Sequence, residues 1–65
     1  MNASARRAFL TIQALEEGTT LVKLAAALEC SRRTAIRWIA LADEFRPVER
    51  MPGDTTHEHW AYRFR

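Results

Sequence analysis

Between Cys30 and Leu41 the chain carries three arginines, Arg32, Arg33 and Arg37, and no acidic residue. A guanidinium stays charged in a protein and presents a rigid fork of donors, so its chemistry is to bind anions rather than to move protons. Interleaved with the arginines are the hydroxyls of Ser31 and Thr34 and the apolar side chains of Ile36 and Ala40. At 100° per residue Arg32, Arg33, Ile36, Arg37 and Ala40 share one helix face, with the acids Asp43 and Glu44 further along it. The plain reading is a solvated surface. Two features speak for more. A soluble helix has little reason to turn isoleucine outward, and the arginines stand at the positive end of the helix dipole, which repels them mildly. The placement of the arginines makes sense if an anion is to be met there.

The other reactive side chains offer less. Cys30 is the one cysteine, so it forms no internal disulfide, and it reads as a small, partly buried apolar residue rather than a redox sensor. His57 and His59 would share a face of one strand, but no further cysteine or histidine stands near them to complete a metal site. Two surface histidines are the expectation, with no metal and no cofactor. There is no Ser/His/Asp set, no pair of buried carboxylates and no glycine-rich loop. An enzyme is not expected, nor is a pocket for a small-molecule substrate in a core this small.

The elements that must position the arginines follow from spacing. A first helix is predicted from about 4 to 17, capped by Ser4 or Asn2 and ended by Gly18. Its inner face is expected to be Ala5, Ala8, Phe9, Ile12 and Leu15. Leu10 and Ala14 then fall outside as a small apolar spot, readable as scattered surface residues or as part of a dimer contact. Thr19 or Thr20 caps a second helix, about 21–28, with Leu21, Leu24, Ala25 and Leu28 inward. After the break at Glu29-Cys30, Ser31 caps a third helix, about 31–45, which stops before Pro47. Ala35, Trp38, Ile39, Ala42 and Phe45 are its expected inner face. The period then changes to two. Val48 lies in one predicted strand, and the run from His59 to Arg65 alternates Trp60, Tyr62 and Phe64 against His59, Ala61, Arg63 and Arg65. The pair forms a hairpin over about 47–65, and its aromatics read as core.

Length and composition bound the rest. Sixty-five residues make one small domain over 1–65, and 48% hydrophobic with 28% charged residues is ordinary globular composition. A formal charge of +2 decides nothing by itself. No apolar run approaches the ~18 residues of a membrane span, and MNASARRAFL lacks the apolar core of a secretory signal. The expectation is a cytoplasmic protein of a bacterial or phage-infected cell, associated with the nucleoid. Its Met1 start is that expected of a complete gene product.

Helix, helix, tight break, helix, hairpin is also the order of a known family. LAAALECSRRTAIRWI, Leu24 to Ile39, resembles the helix–turn–helix of winged helix repressors of the DeoR-like and related types. Leu24, Ala25, Leu28, Ser31, Arg32, Arg33, Thr34, Arg37, Trp38 and Ile39 match the family pattern. Three positions depart from it: Glu29 stands where glycine is usual, Cys30 where a core valine is, and Ala35 where another valine is. A left-handed glutamate at position 29 would cost roughly 1 kcal/mol or more against glycine.

The resemblance implies a mostly α fold with a C-terminal β-hairpin, the winged helix, and sequence-specific binding of double-stranded DNA by a small transcriptional regulator of the repressor kind. The helix over 31–45 would enter the major groove. Arg33 and Arg37, with Arg32, read bases or hold phosphate; Ile36 and Ala40 meet thymine methyls; Ser31 and Thr34 suit phosphate. Thr20 and Lys23 would touch neighbouring backbone, and Arg50 and Arg63 would reach phosphate from the strands. The hairpin tip, Gly53 to Glu58, carries two acids and no Lys or Arg, which speaks for a structural wing. A homodimer on a palindromic site is expected, with the Leu10 spot a candidate contact. Two rival readings stand beside this one: a protein-binding module, such as a phage-type inhibitor of a host complex, and an excisionase-like architectural factor.

Overall fold

Short polar side chains start each helix. In the computed structural model, which describes residues 2–52 and 60–65, α1 spans Ala3–Glu17, and Asn2 caps it by accepting the Ala5 amide at 2.7 Å. Gly18, at φ 90°, turns the chain out of the helix, a backbone angle that favours glycine. Thr19–Thr20 forms a short strand, β1, and Thr20 also caps α2 (Leu21–Leu28) through the Lys23 amide at 3.2 Å. Ser31 caps α3 (Arg32–Phe45) through the Thr34 amide at 3.2 Å. After α3, Asp43 Oδ1 accepts the Val48 amide at 2.7 Å and starts β2 (Val48–Met51); β3 is Ala61–Phe64.

The sheet order is β1-β3-β2, with β3 antiparallel to both neighbours. The core joins Leu15 of α1, Leu21, Leu24, Ala25 and Leu28 of α2, Ala35, Ile39 and Ala42 of α3, and Tyr62 and Phe64 of β3. A mostly α chain with a C-terminal antiparallel strand pair, in the order helix, strand, helix, helix, strand, strand, has the topology of a winged helix. No helix among the described residues is long and apolar enough to cross a membrane.

Three expectations are corrected. First, α1 packs on a different face. Thr11 (1% exposed) and Leu15 are its buried centre, while Phe9 is 57% exposed and Ala5 is exposed. Thr11 can be buried because its hydroxyl donates to the Arg7 carbonyl at 2.7 Å, leaving no polar atom unsatisfied. Second, the same rotation brings Leu10 and Ala14 against the core, so Leu10 is a half-buried packing residue rather than an outward spot. Third, Phe45 is 75% exposed, because the last turn of α3 runs past the core residues that cover Ala42. The structure also adds a strand: Thr19 and Thr20 pair with Tyr62 and Ala61 as well as capping.

Candidate nucleic-acid interface

The placement of α3 depends on how α2 ends. Glu29 is left-handed (φ 54°, ψ 49°), the conformation that glycine adopts most cheaply. Its amide donates to the Ala26 carbonyl at 3.2 Å and the Cys30 amide to the Ala25 carbonyl at 3.1 Å, the bond pair of a Schellman motif. Two carbonyls remain at the break, and Arg7 of α1 serves both: its Nε donates to Leu28 O at 3.1 Å and its Nη2 to Glu29 O at 3.3 Å. One arginine therefore ties the first helix to the turn between the second and third. Its role was invisible in the sequence, because the partners lie more than twenty positions away.

On α3 the structure turns Arg32, Arg33, Ile36, Arg37 and Ala40 outward together, all exposed. Arg33 and Arg37 stand one turn apart, about 6 Å along the axis, and neither has a hydrogen-bond or ion-pair partner among the described residues. Ile36 is 49% exposed between them. The Ser31 hydroxyl is locally committed, since it accepts the Thr34 amide and donates to Thr34 Oγ1 at 3.1 Å.

Strand register sorts the other cations. Arg50 faces Tyr62 across the β2–β3 ladder and so shares the sheet face turned to α3. With Ile36, Ile39, Ala40, Trp60 and Tyr62 it lines a groove of about 240 Å³ between the helix and the sheet. Arg63 faces Glu49 on the opposite face and is held by it at 2.8 Å. The structure thus brings Arg50 to the α3 surface and carries Arg63 away from it. Lys23 is exposed in the first turn of α2, and Thr20 is half-buried in its capping role. Trp60, read from the sequence as core, is half-buried on the wall of the groove; the period-two alternation gave its face but not that it stands where the core ends. Asp43 is occupied by Val48, and Arg46 is bound to the Arg65 carbonyl at 2.8 Å with its guanidinium 4.9 Å from the Phe64 ring centroid. The tip Gly53 to Glu58, with His57 and His59, lies outside the described residues.

No family model, curated protein or solved structure matches this chain. What fold and site define is a class: a winged helix topology with an exposed basic and apolar face on its third helix.

Proposed function

We propose that this protein binds double-stranded DNA sequence-specifically by laying α3 in the major groove, and acts as a small transcriptional regulator of the repressor kind. The observation that carries this reading is the pair Arg33 and Arg37, exposed one turn apart without an acid partner among the described residues, flanked by the outward Ile36 and Ala40. A helix with side chains, about 10–12 Å across, fits a major groove about 12 Å wide. Arginine donates two parallel bonds to guanine O6 and N7, and an apolar side chain beside it suits a thymine methyl. Arg50, at the border of the same face, would hold the phosphates that fix the register.

The test is fluorescence anisotropy with a labelled random duplex across a salt series, comparing wild type with the double variant Arg33→Ala/Arg37→Ala. Wild type should bind with a steep salt dependence, and the double variant should lose affinity and about two units of the log–log slope. Absence of salt-dependent binding at low ionic strength would refute the reading. A protein-docking module would then be favoured, since the exposed Ile36 and the groove beside it suit an apolar side chain of a partner. An architectural, excisionase-like role would show instead as occupation and bending of several tandem sites.

A further inference from the structure

Away from the arginine face, α1 and α3 leave an apolar surface uncovered. Phe9 is 57% exposed, Leu41 55% and Phe45 75%. Ala8 and Ile12 of α1, with Trp38, Leu41 and Phe45 of α3, line a groove of about 120 Å³. Phe9 stands beside this groove, one turn before Ile12, rather than in its lining. We propose that this face binds a second copy of the same chain in a twofold-symmetric dimer, the Phe9 ring of each copy entering the groove of the other.

Three observations select a second copy as the occupant. The first is area. At 150–250 Å² for a phenylalanine or tryptophan, the uncovered parts of these side chains amount to on the order of 500 Å². Pairing two such faces removes on the order of 1,000 Å², the lower bound for a specific interface. The second is shape: the groove is close to the roughly 150 Å³ that accepts a benzene ring, and a twofold axis beside it delivers two rings to two grooves in one step. The third is charge. No charged side chain among the described residues lines the groove, and Arg37 and Glu44, one of each sign, border Leu41 on its outer side. A self-pairing surface with a mixed rim avoids the like-charge contact that a strongly acidic or basic partner would meet.

The dimer face meets the proposed DNA surface at its rim, at Arg37, and leaves Arg33 and Ile36 outside its groove. The groove uses the Trp38, Leu41 and Phe45 flank of α3, whereas Ile36 and Ala40 line the groove on the sheet side. The inference does not rest on DNA binding, because association is measured without DNA.

Sedimentation equilibrium over a concentration series is the test. Wild type should reach twice the chain mass with a dissociation constant on the order of ten micromolar, fitting an interface at the small end of the specific range. Phe45→Ser and, separately, Phe9→Ser should each weaken association about a hundredfold, since the symmetric interface loses the ring twice. Both residues are exposed, so circular dichroism should report an unchanged fold, and two variants on different helices guard against one that unfolds. Val22→Ser, which removes an exposed apolar residue of α2 outside the face, should associate as wild type does. A wild type that stays at the chain mass up to millimolar concentration overturns the proposal. So does a dimer that both phenylalanine variants leave intact.

Discussion

Glu29 is the sharpest local conflict between sequence and backbone in this protein, and replacing it should repay in stability. Its φ of 54° and ψ of 49° place a β-carbon where left-handed backbone crowds it. The conformation costs an ordinary residue about 1–2 kcal/mol, and glycine escapes that cost while losing some stability through the greater freedom of its unfolded chain. The Schellman bonds to Ala25 and Ala26 are made by backbone, and the side chain is exposed with no partner to forfeit among the described residues, so Glu29→Gly removes strain and little else. The net gain should be about 1 kcal/mol. With an unfolding entropy of about 2.1 cal/mol/K per residue, a 65-residue domain should then melt about 7 °C higher. Differential scanning calorimetry of wild type, Glu29→Gly and Glu29→Ala is the assay. Alanine keeps the β-carbon and should give no comparable rise. Equal melting temperatures for glycine and wild type, or an alanine variant that gains as much as glycine, would refute the left-handed turn as the source of strain.

Other expectations follow from single contacts. Arg7→Ala removes two donors from the carbonyls of Leu28 and Glu29 and should cost about 1–2 kcal/mol in urea unfolding; no loss would mean that water serves those carbonyls as well. Thr11→Val should be neutral or stabilising by up to about 1 kcal/mol, because the hydroxyl's only partner among the described residues is a carbonyl of its own helix; a marked loss in the same unfolding assay would point to a hydroxyl role beyond that bond. If α3 binds DNA as proposed, Arg50→Ala should lower the salt slope by about one unit, whereas Arg63→Ala, on the far face of the sheet beside Glu49, should leave it unchanged. Equal effects in the anisotropy titration would show that the sheet faces do not sort the two cations.

Features that depend on residues within three or four positions were legible in the chain itself. Ser31 before Thr34, Thr20 before Lys23 and Gly18 after Glu17 mark helix ends because a cap is a contact between near neighbours. The outward set Arg32, Arg33, Ile36, Arg37 and Ala40 is a matter of helical period alone, and the inward Tyr62 and Phe64 of a period of two. The seat of α1 was not legible. Its apolar residues spread over a wide arc, with Leu10 and Ala14 on one flank and Phe9 and Ile12 on the other, and the point of closest packing falls on Thr11 between them. A hydrophobicity pattern passes over a threonine whose hydroxyl is satisfied within its own helix, so only the packing of α2, α3 and β3 against α1 decides which flank is covered. The pairing of Thr19 and Thr20 with β3, the reach of Arg7 to the α2–α3 turn, and the assignment of Arg50 and Arg63 to opposite sheet faces are likewise contacts between distant parts of the chain. Spacing carries what neighbours along the chain do to one another; which face of each element is buried, and against what, is settled when the elements compete for one small core.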